Sequence, residues 1–301
     1  MIRPRGEDTT VRAHVLTRGR RTQDDYTFFA RLPEDRWWEQ YAAYADFDYP
    51  LLLLEADGAS WRAYLGGMAT SREDATGTPI RLSLAMEGRC GRETGTTTLT
   101  AALVEEHIQA LAAGGHAGEG VKEGAIGCLD QVFDEAAVTA LFAARPGKEK
   151  AVEDLVDAAA RRFADTGGAS AHTARPRPRH PSELPDAWVA GIGGGEARTV
   201  FVAHAGALLD GTTTGRALVL NSLPDHDALP GPEPGERLAV LADAPEGRFG
   251  TVPVAIGGKA SGRSPAARGD TQLVWAALVG ATAALLFLLG RRRGGRPHRN
   301  T

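Results

Sequence analysis

Cysteine is nearly missing from this chain, whose 301 residues contain only Cys90 and Cys128. Two thiols are too few for a disulfide framework and lack the paired spacing of a zinc site, so both are expected as small buried side chains. Catalytic signatures are missing too. There is no HExxH, no GxSxG and no paired CxxC, so none of the zinc-protease, α/β-hydrolase or thiol-redox chemistries carried by those motifs is indicated. Gly-Thr-Thr-Thr recurs at Gly95 and Gly211, but the flanks do not match, and a repeat architecture is not indicated. The first residues, MIRPRGEDTTVRAHVLTRGRR, hold no apolar h-region and no small-residue cleavage site. A cleaved export signal is therefore not expected.

What is present is an ordinary folding composition, with 43% hydrophobic and 24% charged residues, enough for one medium or two small domains with a real core. The bias toward Ala, Gly, Arg, Pro and Asp has the character of a high-GC bacterial genome. The net charge of -4 hides an asymmetry: the last eleven residues carry five arginines and no acid, and the 290 before them carry 29 basic against 38 acidic side chains. An acidic body of this kind excludes a phosphate-tracking nucleic-acid surface.

The run Leu273 to Gly290 contains 18 residues without a charge, and Thr282 is its only polar side chain. As a helix it spans roughly 27 Å, which matches the hydrocarbon layer of a bilayer, so residues 273–290 are read as one C-terminal transmembrane helix. Trp275 near one end and Arg291, Arg292 and Arg293 at the other are side chains that prefer the interface. Ala276, Gly280 and Ala284 recur every four residues and form a small-residue face on which two such helices pack closely in lipid. Lys259, Arg263 and Arg268 precede the helix and five arginines follow it, so the charge bias alone favours a cytoplasmic C-terminus. The lack of an export signal argues the other way and is given more weight: the chain is expected to be tail-anchored, with its body in the cytoplasm and residues 291–301 as a short basic tail.

Residues 257–272 are small, polar and glycine-rich, as in a flexible tether with a reach near 20 Å. A second break at 167–186, rich in proline and arginine, divides the body into an α+β domain at 8–166 and a small β-rich section at 187–256 that is expected to pack on it. In the first part, strands are predicted at Val11–Leu16, Pro50–Glu55, Trp61–Leu65 and Ile80–Met86, the middle two joined as a hairpin across Asp57-Gly58. Helices are predicted over Leu32–Phe47, with Trp37, Tyr41 and Tyr44 on one stripe, over Thr97–Ala112, over Leu129–Ala143, and on the face Val152, Leu155, Val156, Ala159 and Phe163. In the second part, strands are predicted at Ala187–Ala190, Thr199–Ala203, Ala217–Asn221, Leu238–Leu241 and Val252–Ile256. Strands followed by helices point to an α+β body, a mixed sheet with packed helices.

Two glycine-bearing stretches resemble phosphate cradles only in outline. EGRCGRETGTTTL lies between a strand and a helix, but a P-loop requires Gly at position 90 and Lys at 96, where this chain has Cys90 and Thr96. AGIGGGEA lacks the dinucleotide spacing and is read as a loop. Asp225-His226-Asp227 is read as a solvated turn, and His107 as a histidine at the edge of the core. Asp24 and Asp25 are candidates to join Glu55 or Asp57 in a carboxylate cluster. No catalytic residue is assigned, and no cofactor or metal is expected.

Two functions follow as expectations. The first is a single-pass interaction or regulatory module that binds the bilayer and a cytoplasmic protein partner, and forms homo-oligomers through its membrane helix. The alternative is a membrane-anchored hydrolase with an Asp/Glu/His site. A pocket gathering carboxylates or histidines of perturbed pKa favours the hydrolase, and a flat apolar patch including Trp37 or Trp38 favours the module.

Overall fold

Leu51, Leu52, Leu53 and Leu54 are all fully buried, which a strand achieves only when both faces of its sheet are covered. A computed structural model shows how. It describes residues 11–21, 23–29, 36–91, 94–114, 124–144, 148–174, 184–224, 229, 231–243 and 249–256, all within one compact unit, residues 1–258. The strands are β1 (Arg12–Thr17), β2 (Thr27–Phe29), β3 (Leu51–Ala56), β4 (Ser60–Glu73), β5 (Pro79–Arg89), β6 (Ala187–Gly191), β7 (Gly215–Leu220), β8 (Arg237–Ala242) and β9 (Val254–Ala255). The helices are α1 (Gly95–Ala112), α2 (Gly124–Val132), α3 (Glu135–Ala143), α4 (Lys148–Asp165), α5 (Gly168–Ala174) and α6 (Gly195–Leu209).

The nine strands form one mixed sheet in the order β2-β1-β5-β4-β3-β7-β8-β6-β9. Only β7–β8 and β6–β8 are parallel. The body is α+β, and residues 187–256 do not build a separate sheet, because β7 pairs with β3 from Leu52 opposite Val219 to Ala56 opposite Gly215. Leu52 and Leu54 face the core shared with the helices, where Leu103, Ile108, Val156 and Phe201 pack. Leu51 and Leu53 face a second core closed by Trp37, Trp38, Tyr41, Leu223, Leu229 and Ile256. One face is thus covered by helices, and the other by a short turn and connecting segments.

Three predicted elements take a different form. The helix expected over Leu32–Phe47 is a 3-10 turn at Trp37–Tyr41, with 30–35 outside the described residues. The turn lets two adjacent indoles reach the sheet, Trp38 stacking on Tyr64 with centroids 5.3 Å apart, whereas an α-helical stripe would aim only one of them inward. The helix expected at Leu129–Ala143 breaks after Val132 because Asp134 N-caps α3, its Oδ1 accepting the amide of Ala137 at 2.7 Å. The strand expected at Thr199–Ala203 lies inside α6, whose buried Ala197, Val200, Phe201, His204 and Leu208 follow helical spacing.

Among the described residues no helix is long and apolar enough to cross a membrane. The apolar run with Trp275, Ala276, Gly280 and Ala284, together with Arg291, Arg292 and Arg293, lies outside them, as do Asp225, His226 and Asp227.

Candidate functional site: a polar hollow on the sheet face

The hairpin β3–β4 places Glu55 opposite Arg62, and its neighbours extend the pairing. Arg62 lies opposite Glu87 of β5, Glu87 opposite Arg12 of β1, and Glu55 opposite Arg216 of β7. Arginine and glutamate therefore alternate across five adjacent strands. By the two-residue alternation of side chains this row lies on the face of Leu53, Tyr64, Ala85 and Leu218, where the second core ends and solvent begins.

Above the row is an open hollow of about 800 Å³, bounded by Gln40 of the 3-10 turn, the β3–β4 turn and the β7–β8 connection with Gly231, Glu233 and Glu236. Its centre is Glu55. Oε2 accepts from Arg62 Nε and Nη2, both at 2.7 Å, while Oε1 accepts from Gln40 Nε2 at 2.8 Å and from the Tyr41 hydroxyl. Burial, and then the charge of Glu55, holds the Tyr41 phenol above the ordinary tyrosine range. The Arg62 guanidinium lies 4.8 Å from the centroid of the Trp37 ring, and Arg216 Nη2 donates to the carbonyl of Gly231 at 3.0 Å. At the turn, the amides of Ser60 and Ala59 hold the Asp57 carboxyl below the usual carboxylate range.

Chemically this centre is an acceptor with four donors already on it. Such a carboxylate serves as the shared acceptor that orders arginine, glutamine and tyrosine around it. Glu87 and Glu233 differ, since neither carboxylate makes a hydrogen bond or ion pair among the described residues.

Of the candidate carboxylates, Glu55 and Asp57 come together here. Asp24 and Asp25 do not join them: the amide and carbonyl of Asp24 close a turn with Arg21 and Gly19, and Asp25 accepts from the amide of Tyr26. Trp37 and Trp38 are only 5% and 4% exposed and form no surface patch. His107 is buried within the core rather than at its edge, and its Nε2 meets the carbonyl of Leu51 at 3.0 Å. Cys90 and Cys128 are free thiols, which burial pushes up in pKa. Among the described residues no three His, Cys, Asp or Glu side chains converge as a metal site.

Both glycine-bearing stretches are filled by the chain itself. Thr94 caps α1, its hydroxyl accepting the Thr97 amide at 3.0 Å, and Thr96 bonds Asp157 at 3.1 Å. AGIGGGEA forms the end of β6, a turn and the start of α6 rather than a simple loop. The Gly191 amide donates to the carbonyl of Gly250 at 2.7 Å, and a Cβ on Gly194 would lie 2.2 Å from the Thr251 carbonyl oxygen. Carbonyls of 249–251 thus occupy the position where a phosphate would sit in a dinucleotide fold.

Arg62 as the partner of Glu55 is readable from the hairpin register alone. Glu87, Arg216, Gln40 and Tyr41 reach the site through long-range pairing that no local pattern carries. No known protein family, curated protein or solved structure matches the chain.

Proposed function

We propose that the chain is a single-pass, tail-anchored membrane protein whose body is an interaction module, docking a protein partner at the polar hollow. The hollow gathers carboxylates, the arrangement that favours the hydrolase, and the apolar patch at Trp37 and Trp38 that would favour the module does not form; the module is proposed nonetheless on the state of Glu55. All four of its close contacts are donors supplied by Tyr41, Gln40 and Arg62, which suits a preorganised docking surface better than a reaction centre. The anchor in this proposal is the uncharged run Leu273 to Gly290, with Ala276, Gly280 and Ala284 as its self-association face and Arg291, Arg292 and Arg293 at the interface. The free thiols of Cys90 and Cys128 accord with a body held in the reducing cytoplasm.

The test has two arms. The full chain should sediment with membranes, while a chain ending at Asp270 should be released and unfold cooperatively; a truncated chain that stays with membranes or aggregates sinks the anchor. A photo-crosslinking residue at Gln40, on the wall of the hollow, should give one predominant protein adduct in cells, and one at Thr76, in the β4–β5 turn, should not. Equal patterns from both positions would sink the docking site.

A further inference from the structure

We infer that the last segment of the body, residues 251–255 with the edge strand β9, lies against the surface of the bilayer, with Val252 and Val254 entering its interfacial layer. This rests on the anchor reading above and adds a contact between the folded body and lipid.

Among the described residues the exposed large hydrophobic side chains are Tyr26, Tyr49, Val252 and Val254. The tyrosines carry hydroxyls, and that of Tyr26 accepts the amide of Arg81 at 3.0 Å, whereas the valines are purely apolar. Val252 and Val254 are 50% and 51% exposed and only two positions apart. They belong to the stretch 249–256, FGTVPVAI, which holds no charged residue. Ile256 turns inward, is buried, and donates its amide to the carbonyl of Ala187 at 3.0 Å, so the segment is fixed on the body while its valines face out. β9 also ends the strand order of the sheet, and an exposed edge of this kind normally carries charge or a cover.

What covers this edge follows from the chain itself. A strand added by another protein is disfavoured, because β9 is two residues long and Pro253 beside it lacks the N–H that a continuing ladder uses. Lipid requires no ladder, only apolar side chains at a surface held near it. Residues 257–272 alone separate Ile256 from the uncharged run that begins at Leu273, and a glycine-rich chain of that length has a root-mean-square reach of about 20 Å. Two half-exposed valines are too small a surface to bring a free protein to a membrane. Within that reach the contact becomes intramolecular, at an effective concentration on the order of millimolar, and a small gain is enough. Lys259, Arg263 and Arg268 in the same stretch, against the single acid Asp270, suit the anionic headgroups of a cytoplasmic leaflet.

The test uses the full chain in nanodiscs of zwitterionic lipid, so that apolar contact is read without attraction to anionic headgroups. An environment-sensitive fluorescent amino acid is placed at Thr251, beside the valines, or at Thr76, in the β4–β5 turn, and a nitroxide on the lipid headgroup serves as quencher. Quenching is expected at Thr251 and not at Thr76. V252S/V254S should lower the bound-to-free ratio at Thr251 by about tenfold, as for losing the burial of two half-exposed valine side chains, while keeping the parental melting temperature. Equal quenching at the two positions, or quenching at Thr251 unchanged in V252S/V254S, overturns the inference. Shielding of the Thr251 probe that arises only in nanodiscs holding two copies, without quenching by lipid, assigns the edge to a second chain and overturns it too. If the full chain is retained in nanodiscs and Thr251 is not quenched, the anchor stands and only the lipid contact falls; if the chain is not retained, the anchor reading falls and the contact with it.

Discussion

The Tyr41 hydroxyl donates to Glu55 Oε1 from a side chain that is 2% exposed, tying the 3-10 turn to the middle of a nine-stranded sheet. Removing the hydroxyl in Y41F leaves Glu55 with Gln40 and Arg62 and should cost about 1–3 kcal/mol, as for a hydrogen bond to a charged group. The melting temperature should fall by several degrees. The pH dependence has a definite sign. The folded phenol keeps its proton above the ordinary value of 10.0 while the unfolded one releases it there, so the native protein should lose stability as pH rises past about 10. Melts of wild type and Y41F at about pH 8 and pH 10.5 check this; an equal alkaline loss in both would remove Tyr41 as its source.

Gly194 and Gly193 are neighbours with opposite tolerance. A Cβ on Gly194 would meet the Thr251 carbonyl oxygen at 2.2 Å, whereas one on Gly193 meets nothing within 4 Å. G194A should therefore push 249–256 off the end of β6 and cost about 1–3 kcal/mol, while G193A should stay within about 0.5 kcal/mol of wild type. Chemical denaturation curves of the two variants decide it, and equal midpoints would contradict the packing described.

These same elements show what local sequence carries. The β3–β4 hairpin and β5 were legible because adjacent strands with a two-residue period and an Asp57-Gly58 turn need only neighbouring residues. The strands of the second section were legible as short apolar runs, but not their order, in which β8 lies between β7 and β6. Thr199-Val200-Phe201-Val202 reads as a strand by propensity, and tertiary burial of one helical stripe overrides it. In the site, the Glu55–Arg62 pair follows from hairpin register, whereas Glu87 and Arg216 join through strand pairings that only the complete sheet defines.

Glu106 acts across 19 residues of chain as a helix cap. Its carboxylate accepts the amides of Ala125 at 2.8 Å and Ile126 at 2.9 Å at the start of α2, satisfying donors that a helix leaves open. Gly124 permits the approach, with φ of +90° and a would-be Cβ only 2.4 Å from Oε1. E106A should cost about 1–3 kcal/mol and speed amide exchange at Ala125 and Ile126. Exchange at Ala137, capped separately by Asp134, should hardly change; if all three amides respond alike, the effect is global unfolding rather than loss of a cap.

His107 is expected to contribute to the acid sensitivity of the fold. Burial holds its pKa down at about 4 from an ordinary 6.5, the carbonyls of Leu51 and Gly66 oppose that shift, and the charge of Arg81 adds to it. The folded state thus keeps His107 neutral while the unfolded chain binds a proton below about pH 6.5, so the contribution is complete above that pH and is lost as pH falls toward 4. A shift of this size corresponds to about 3 kcal/mol. The carboxyls held below their usual range, Asp57 and Asp74, lose their contributions only below about pH 4, so the two acid windows are separable. Unfolding free energy measured between about pH 6.5 and 4.5 should fall in wild type. It should fall less steeply in H107Q, whose amide is able to donate to Leu51 without titrating. Parallel slopes for the two proteins would show that the proton is taken up elsewhere.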